Sequence, residues 1–465
     1  MKSYDVVVIG AGPGGYVSAI RASQLGLKVA IVEKNELGGV CLNVGCIPSK
    51  ALLRNAEIAH TLRERAKEFG FSFDNLQLDY GVAFTRSRQV SQRLTKGVGF
   101  LMKKNKVDVY IGEAKLTAKN QVDVKAESGI VESLETKNII IATGSTPMVI
   151  PGMDVDGEKV VNYLHAIMFE KLPQSAIIIG GGAIGVEFAT IWNSYGVEVS
   201  IVEMLPHLLP LEDEEAASEL EKAYKKRGIQ VFTSSKVKFV KANDKDTTVM
   251  LETTEGEKEI KAEITLVAIG FRPNSKDLGL EALGVTLDKR GFIEVDDRMS
   301  TNVPGIWAIG DVTGKLLLAH VASTMGILCA ENIAGLPTEK IDYRMVPRAT
   351  FSSPQVASFG YTEKQAKEAG FDVKIGKFPF QPNGKALGLG DYAGFAKIIT
   401  DKKYGEILGA SMVGPEVSEL LPELTIAQRN ELTTTEIARN IHTHPTLSEV
   451  LLEAAEAAEG HGIHL

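Results

Sequence analysis

Two of the chain's three cysteines, Cys41 and Cys46, are separated by only four residues. In a regular α-helix that spacing places the Cα atoms roughly 8–9 Å apart, whereas a disulfide needs about 4.4–6.8 Å. A bond between them therefore needs a distorted turn, which Gly45 and Pro48 are suited to provide. So small a loop constrains the unfolded chain little, and strained or exposed bridges are readily reduced. The pair predicts a redox-active disulfide, with two ordinary buried thiols as the alternative.

A metal site is the other use of closely spaced cysteines. A structural zinc usually takes four Cys or His ligands, and the sequence has no second cysteine pair. Cys329 stands alone in an apolar helical pattern and is predicted to lie in the core. His442 and His444 precede Pro445 with no further Cys or His close by. We therefore predict no metal.

His444 is followed by Glu449 near the end of the chain. Such a pair is usually an ordinary surface contact. Thiol–disulfide exchange, however, needs a thiolate and hence a base, and a histidine oriented by a carboxylate suits that task. Beside a redox-active cysteine pair, His444 and Glu449 are therefore candidates for acid–base catalysis.

The first glycine motif lies directly before a helical pattern. Gly10, Gly12 and Gly15 follow the β-branched run 4–9, and Glu33 ends the next strand pattern, 23 positions after the first glycine. This is the dinucleotide-binding G-x-G-x-x-G in its strand–turn–helix context. The glycines allow a tight turn, close approach of a pyrophosphate and close helix–strand packing, while the acid accepts from ribose hydroxyls.

The same pattern returns later in the chain. Gly180, Gly182 and Gly185 follow the apolar run 176–179, and Glu203 again comes 23 positions after the first glycine. The chain therefore has two predicted dinucleotide sites, and electrons are expected to pass between two cofactors and a sulfur couple. The alternative is that one unit is a vestigial fold element that does not bind a dinucleotide.

The elements that must position these residues follow from the remaining patterns. We predict two helices over 51–104, strands at 107–111, 121–124, 138–142, 261–269 and 301–311, and a helix over 316–334. After Val346 the pattern becomes antiparallel, with strands at 395–400 and 407–413 and helices at 416–428, 434–440 and 447–458.

Composition limits the class of protein. At 465 residues the chain is too long for one core and predicts about three domains. Its formal net charge of −8 argues against nucleic acid or an anionic membrane as the main partner. No apolar run approaches the ~20 residues of a membrane span, and the strand pattern begins almost at Met1, which leaves no room for a signal peptide. We expect a cytoplasmic protein, with a mature organellar matrix as the alternative to a bacterial cytoplasm.

Together, the segment 38–50, the paired glycine motifs, Gly310-Asp311 and the segment 444–449 resemble the flavoprotein disulfide reductases over the whole chain. Within that family they are most similar to the members that oxidise dihydrolipoyl groups with NAD⁺. The resemblance implies an α/β fold with two Rossmann-like dinucleotide-binding domains and a C-terminal α+β dimerisation domain. The implied division is an FAD-binding domain at 1–150, an NAD-binding domain at 151–275, a central domain completing the FAD site at 276–346 and a dimerisation domain at 347–465.

The resemblance also implies the binding residues. FAD would be held by Gly10, Gly12, Gly15, Glu33, Gly112, Thr143, Gly144, Asp311, Leu317, Leu318, Ala319 and His320. NAD would be held by Gly180, Gly182, Gly185, Glu203, Val237 and Gly270. Lys50, paired with Glu187, would lie near the reactive flavin nitrogen. One departure is Val40, where many relatives have threonine, which puts one contact near the flavin phosphates in doubt.

The implied reaction transfers electrons from a dihydrolipoyl dithiol to the Cys41–Cys46 disulfide, and then through FAD to NAD⁺. Cys46 would lie against the flavin as the charge-transfer thiolate, Cys41 would exchange with the substrate, and His444 with Glu449 would serve the thiols. The implied partners are lipoyl domains of acyltransferase components, or a glycine-cleavage carrier protein. A second copy of the chain would complete each site, with His444 presented to the partner's Cys41.

Other functions fit parts of the sequence. Glutathione-type reductases would favour a basic pocket for the NADP 2′-phosphate, but the residue expected to read the ribose is the acidic Glu203. Mercuric-ion reductases would have further C-terminal cysteines, and none follows Cys329. A mainly structural subunit of a lipoyl complex, or a flavoprotein with inert cysteines, is disfavoured because Lys50 and His444 accompany the cysteine pair.

Overall fold

The computed structural model describes residues 2–464. The first third of the chain forms the strands β1 (Lys2–Ile9), β2 (Val29–Glu33), β3 (Asp108–Ile111), β4 (Glu113–Ala118), β5 (Gln121–Lys125), β6 (Val131–Ile141) and β7 (Ser145–Pro147). Its helices are α1 (Pro13–Gln24), α2 (Gly39–Val44), α3 (Cys46–Glu64) and α4 (Tyr80–Lys104).

The second unit contains β8 (Val160–Val161), β9 (Ser175–Ile179), β10 (Glu198–Val202), β11 (Gln230–Phe232), β12 (Lys236–Ala242), β13 (Thr247–Thr253), β14 (Gly256–Ala262), β15 (Ile264–Val267) and β16 (Phe271–Pro273). Its helices are α5 (Tyr163–Ala166), α6 (Ala183–Ser194) and α7 (Glu214–Lys226). Short 3₁₀ helices follow at Glu281–Leu283 and Gly310–Thr313, on either side of β17 (Ile306–Ala308).

Helix α8 (Ala319–Ile333) leads into the last part of the chain. This part contains β18 (Arg348–Thr350), β19 (Gln355–Gly360), β20 (Val373–Pro379), β21 (Phe395–Asp401) and β22 (Ile407–Gly414). Its helices are α9 (Glu363–Glu368), α10 (Gly384–Leu389), α11 (Val417–Arg429), α12 (Thr434–Arg439) and α13 (Glu449–Glu459).

Strand β6 organises the first sheet. It pairs in parallel with β1 over residues 134–141 and with β17 over residues 139–141, and it pairs in an antiparallel manner with β5 over residues 131–135. The sheet continues from β1 through β2 to β3, all parallel. The later segment around β17 therefore completes the sheet that the N-terminal glycine motif begins.

The second sheet repeats the parallel core in the order β11-β10-β9-β15-β8. Its central strands β9 and β15 are buried on both faces, as expected for continuous apolar runs in a parallel sheet. The short strands β7 and β16 pair where the chain passes between the two units. The last part of the chain forms an antiparallel sheet, β18-β19-β22-β21-β20, with α11 and α13 packed against it.

The structure confirms the predicted fold class and corrects three local predictions. The strand predicted over 301–311 is shorter than expected, because β17 covers only Ile306–Ala308 and Gly310–Thr313 forms a 3₁₀ helix. The single strand predicted over 261–269 is wrong, because Glu263 separates β14, in an antiparallel sheet, from β15, in the parallel one. The first predicted helix begins at Cys46 rather than Ala51, and the short α2 precedes it. Gly45 lies between them with φ −137° and ψ −116°, so the backbone is distorted at the residue expected from the cysteine spacing.

Within residues 2–464, no helix combines the length and apolar character needed to cross a membrane. Over the same residues, no cluster of three or more His, Cys, Asp or Glu side chains could hold a metal ion. Cys329 is fully buried in α8, as predicted.

Candidate active site

The first glycine turn lies between β1 and α1. Gly10 has φ +98°, and a Cβ there would approach Ala142 O to 2.4 Å, so only glycine fits this turn. The turn is fixed by Glu33, whose two carboxylate oxygens accept from Ala11 N–H at 2.7 Å and Asn35 N–H at 2.8 Å. Helix α1 has no side-chain cap, and a Cβ at Gly12 would meet nothing within 4 Å. The uncapped helix start and this adjoining space fit a pyrophosphate.

The other residues expected around FAD come to the same turn. Gly112 N–H donates to Glu33 O at 2.9 Å, and Thr143 and Gly144 directly follow Ala142. Asp311 accepts from Ser145 Oγ at 2.8 Å. Burial raises the pKa of the Asp311 carboxyl, against the lowering effect of the Ser145 hydrogen bond. Leu317 and Leu318 lead into α8, which begins with Ala319 and His320, and the Ala322 carbonyl in that helix would contact a Cβ placed at Gly14.

The second glycine turn has the same geometry. Gly180 has φ +109°, and a Cβ there would approach Ala268 O to 2.3 Å. Glu203 accepts from Gly181 N–H at 2.7 Å and from Leu205 N–H at 2.8 Å. Helix α6 starts at Gly182 with no side-chain cap, and a Cβ there would also meet nothing within 4 Å. These features fit a second dinucleotide.

Two further residues expected around NAD, Val237 and Gly270, each lie two positions after a residue that contacts this turn or its acid. Val237 is buried in β12, two residues after Ser235, whose N–H donates to Glu203 O at 3.0 Å. Gly270 has φ +117° and follows β15, whose neighbour Ala268 borders the Gly180 turn.

The cysteine loop starts directly against the first glycine turn. Gly38 N–H donates to Ala11 O at 2.8 Å, and a Cβ at Gly39 would approach the Gly12 Cα to 2.7 Å. From there α2 carries Cys41 and α3 begins at Cys46. The loop therefore places both sulfurs beside the site that fits the first dinucleotide.

The structure describes both cysteines as free thiols, half-buried and hydrogen-bonded to each other. The hydrogen bond from the Cys41 thiol lowers the pKa of Cys46, and the Lys50 ammonium lowers it further, while burial opposes both. The same hydrogen bond and burial raise the pKa of Cys41 far above its usual range. Cys46 is therefore the sulfur that carries negative charge most readily.

Lys50 and Glu187 join the two dinucleotide units. Lys50, one turn into α3 from Cys46, donates to both carboxylate oxygens of Glu187 at 2.9 Å. Glu187 lies on α6, the helix that starts at the second glycine turn. The ion pair therefore links the cysteine helix to the helix of the second site.

His444 and Glu449 lie together in the C-terminal part of the chain. His444 Nδ1 and Glu449 Oε1 are 2.8 Å apart, and Thr446 N–H donates to the other carboxylate oxygen at 2.8 Å. Partial burial of Glu449 raises its pKa, but these two hydrogen bonds outweigh it and the pKa falls. The His444 side chain is 79% exposed. Its Nε2 is therefore free to serve a group outside this loop.

Sequence reasoning missed several residues that support the site. Asn43, inside the cysteine loop, donates to Leu37 O at 3.0 Å and Gly39 O at 2.9 Å, and accepts from Thr95 Oγ1 at 2.8 Å. An amide between two cysteines was the only sequence signal for this role. Tyr163 faces the site from α5, and burial, with the charges of Asp311 and Cys46, raises its pKa to about 12. No sequence pattern singled it out.

Comparisons with known proteins bear on the family. The model of the pyridine nucleotide-disulphide oxidoreductases matches residues 4–326, and the model of that family's dimerisation domain matches residues 346–455. The chain is 51% identical over 468 residues to a dihydrolipoyl dehydrogenase of Mycobacterium leprae and 52% identical over 465 residues to one of Mycobacterium tuberculosis. Each alignment covers 100% of both chains.

Solved structures agree at the level of the fold. The chain is similar to the crystal structure of LpdA from Mycobacterium tuberculosis, with a TM-score of 0.91, 27% identity and coverage of 98% of this chain and 99% of that one. It is also similar to the HOCl-induced flavoprotein disulfide reductase RclA from Escherichia coli, with a TM-score of 0.85, 27% identity and coverage of 96% and 98%.

Proposed function

The chain belongs to the pyridine nucleotide-disulphide oxidoreductase family, and from this premise we propose that it oxidises protein-bound dihydrolipoyl groups to lipoyl disulfides with NAD⁺ as acceptor. FAD and NAD are the cofactors of this family, and the chain carries the family's dimerisation domain. The observation that carries the proposal is the cysteine loop, which lies against one dinucleotide turn and is joined to the other through Lys50 and Glu187.

We assign FAD to the first turn, and the residues that would hold it are those that converge there. Gly10, Gly12 and Gly15 admit the pyrophosphate, and Glu33 meets the ribose, with the residues around Gly112, Thr143, Gly144, Asp311 and the start of α8 completing the cradle. We also propose the division into segments 1–150, 151–275, 276–346 and 347–465. It is supported by β17 and α8, which add to the first unit.

We assign NAD⁺ to the second turn, with Gly180, Gly182 and Gly185 at the pyrophosphate and Glu203 at the adenosine ribose. The Glu203 carboxylate already accepts two backbone N–H groups, so it is fixed in place and remains able to accept from ribose hydroxyls. A 2′-phosphate would face this carboxylate with like charge. The protein should therefore prefer NAD⁺ to NADP⁺.

The sulfur chemistry begins at the Cys41–Cys46 disulfide. A substrate thiolate attacks Cys41, which forms a mixed disulfide and releases Cys46 as a thiolate. The second substrate thiolate then displaces Cys41, so the substrate leaves as a cyclic disulfide and the enzyme is left with two reduced sulfurs. His444, oriented by Glu449, accepts the protons released from the substrate thiols.

The Cys41–Cys46 pair returns to the disulfide by giving up two electrons, and bound FAD supplies the route by which they reach NAD⁺. The chain's own contribution is placement and charge. The Lys50 ammonium and the Cys41 thiol stabilise the Cys46 thiolate, and Glu187 holds Lys50 in place. After two-electron reduction, a long-wavelength absorption band should depend on Cys46 and survive Cys41→Ser; the opposite pattern would reverse the sulfur assignment.

The histidine is proposed to act across the homodimer. The hydrogen bond and ion pair described for His444 both join it to Glu449, and most of its side chain is exposed. The dimerisation domain carries His444, whereas the first unit carries Cys41. Each site would then combine the cysteines of one chain with the histidine loop of the other.

For partners we propose lipoyl domains of acyltransferase components of 2-oxoacid dehydrogenase complexes, or a glycine-cleavage carrier protein, and a cytoplasmic location. The proposal rests on the dihydrolipoyl dehydrogenases to which the chain is similar over its whole length. The first experiment measures NADH formation from free dihydrolipoamide and NAD⁺. Wild-type turnover that Cys41→Ser, Cys46→Ser and His444→Gln each abolish supports the function, and no turnover by flavin-loaded wild type contradicts it.

The shared site is tested with mixed dimers. Chains carrying Cys46→Ser and His444→Gln are coexpressed with different tags and purified through both. In the mixed dimer one site has both defects and the other has intact cysteines and an intact partner histidine, so about half of the wild-type activity per dimer should return. The control pairs Cys46→Ser with Cys41→Ser, which leaves no intact cysteine pair. An inactive first mixture would place His444 in the site of its own chain.

A further inference from the structure

Three parts of the fold meet at the Lys50–Glu187 ion pair. Lys50 comes from the cysteine helix and Glu187 from the helix of the second glycine turn. The third participant is Phe351, which directly follows β18 in the C-terminal sheet. Sequence reasoning gave Phe351 no role, and we propose that it is a positioning residue that sets the charge environment of Cys46 by holding Lys50 and Glu187.

Phe351 makes two different contacts with the pair. Its ring lies under the Lys50 ammonium, with Nζ 4.5 Å from the ring centroid. Its backbone N–H donates to Glu187 Oε1 at 3.1 Å. A cation over an aromatic face is attracted by the ring quadrupole, and the attraction grows as water is excluded. The ring therefore fixes the position of the Lys50 ammonium. The backbone N–H fixes the Glu187 carboxylate, which accepts hydrogen bonds from that ammonium.

The position of Phe351 is itself secured by ion pairs between the C-terminal sheet and the second unit. Arg348 Nε, in β18, is 3.4 Å from Glu212 Oε1. In β21, the Lys397 side chain is only 3% exposed and its Nζ lies 3.3 Å from Asp213 Oδ2. These contacts hold the sheet that carries Phe351 against the unit that carries Glu187. Phe351 therefore lies one residue beyond a strand that is held in place by these ion pairs.

We expect the contacts of Phe351 to change how readily Cys46 ionises. This expectation rests on the proposed role of Cys46 as the thiolate. The titratable groups that face Cys46 are Cys41 from α2, Lys50 from α3, Glu187 from α6 and Tyr163 from α5. Lys50 favours the thiolate and Glu187 disfavours it. An ammonium that leaves the Phe351 ring can turn away from the sulfur, so the balance between these two charges depends on the ring.

The test measures the rate at which Cys46 is alkylated by iodoacetamide across a pH series in the flavin-loaded protein. A Cys41→Ser background leaves Cys46 as the reactive thiol, because Cys329 is fully buried, and the alkylated peptide identifies the site. Phe351→Leu keeps apolar cover but removes the ring, and should slow alkylation below the titration midpoint by about two- to fivefold. Phe351→Tyr keeps the ring and should react as the parent does.

A double-mutant cycle tests whether the effect passes through the lysine. In a Lys50→Met background the ring has no cation to hold, so adding Phe351→Leu should change the alkylation rate little. The matched control is Phe239→Leu, which removes a ring 4.8 Å from the Lys241 ammonium in the second unit. That substitution should leave the Cys46 profile unchanged.

Three results would overturn the inference: parent-like alkylation of Phe351→Leu, equal slowing by Phe351→Tyr, or undiminished slowing in the Lys50→Met background. Flavin content and thermal unfolding of each variant identify a merely structural defect, which would slow alkylation in the Lys50→Met background as well. An ordinary cysteine profile in the Cys41→Ser parent would contradict the sulfur assignment of the proposed function. The ratio of the alkylation rate of Phe351→Leu to that of its parent would still decide the role of Phe351.

Discussion

The two glycine turns of this chain make nearly the same local contacts. A Cβ at Gly15 would approach Gly10 O to 1.8 Å, and a Cβ at Gly185 would approach Gly180 O to 1.9 Å. The acid that follows each turn, Glu33 or Glu203, accepts two backbone N–H groups, at 2.7 and 2.8 Å in both units. The turn itself therefore does not distinguish one cofactor site from the other.

The surroundings of the turns differ. The start of α1 is covered, since Gly14 is buried with Ala322 O 2.9 Å from the place of its Cβ, and Gly39 lies against Gly12. At the start of α6, Ala183 is exposed and Ile184 is half-buried. The same recognition turn is thus enclosed in one unit and open in the other. Enclosure suits a cofactor that stays bound, and openness suits one that enters and leaves in each turnover.

The largest expected effect comes from breaking the shared geometry once in each unit. Gly15→Ala forces a methyl group into the Gly10 carbonyl and should lose most of the bound flavin, with a cost of several kcal/mol in the affected turn. Gly185→Ala creates the same clash but should spare the flavin and raise the NAD⁺ KM by about tenfold or more. Flavin absorbance and steady-state kinetics separate the two losses.

The reciprocal result would reverse the cofactor assignment. If Gly185→Ala emptied the flavin site and Gly15→Ala affected only the NAD⁺ KM, the enclosed turn would be the nucleotide-exchanging one. Gly97→Ala is the control, because it lies inside α4 and a Cβ there meets nothing within 4 Å.

The acid of the open unit should have the next largest effect. Glu203→Gln places an amide NH₂ where a carboxylate oxygen accepts a backbone N–H, and it also removes the charge near the ribose. We expect kcat/KM for NAD⁺ to fall about 10- to 100-fold, because hydrogen bonds to charged groups are worth about 1.5–3 kcal/mol. The discrimination against NADP⁺ should shrink at the same time.

Glu33→Gln is the matched substitution in the enclosed unit. It should weaken flavin retention and leave the preference for NAD⁺ over NADP⁺ intact. Comparable kcat/KM values for NAD⁺ and NADP⁺ in the wild-type protein would contradict the role given to Glu203.

The features that the two turns share could be predicted from the sequence, whereas the surroundings in which they differ could not be predicted from its patterns. The glycines, the acids and the distortion at Gly45 are local, since each is required by a backbone turn or a spacing that the chain order displays. The enclosure of the first turn is not local. It depends on α8 and β17, whose residues are about 300 positions away from Gly14. Their apolar patterns predict burial without naming a neighbour, and only the family resemblance placed this part of the chain at the FAD site.

The incorrect strand over 261–269 has a related cause. The segment alternates and then becomes continuously apolar, so its pattern reads as one strand, but Glu263 is where it changes sheets. Phe351 was missed because its contacts are not local. Its partners Lys50 and Glu187 lie in two other parts of the chain, and only the tertiary fold brings them to its ring.

Loosening the enclosure is expected to have a smaller effect. A Cβ at Gly326, in α8, would approach Gly14 O to 2.6 Å, so Gly326→Ala should separate α8 from α1 slightly. We expect bound flavin to dissociate several-fold faster on dilution, while the NAD⁺ KM stays unchanged. The dissociation rate is measured by dialysis against flavin-free buffer, followed by fluorescence of the released flavin. An unchanged release rate in a folded variant would separate flavin retention from this helix contact.

The smallest expected effect comes from exchanging the second residue of each turn, Ala11 in the enclosed unit and Gly181 in the open one. A Cβ at Gly181 would lie 2.6 Å from the end of the Leu208 side chain and 3.2 Å from Glu203 Oε2. Because Leu208 can shift, Gly181→Ala should raise the NAD⁺ KM only about two- to fivefold, and kcat should hold. Ala11→Gly should cost about 0.5–1 kcal/mol of stability by freeing the unfolded chain, with flavin content unchanged. Kinetics and thermal unfolding of both variants check this. A loss of NAD⁺ use as large as that of Gly185→Ala would mean that the second turn tolerates no side chain at this position, and that the difference between the units reaches into the turn itself.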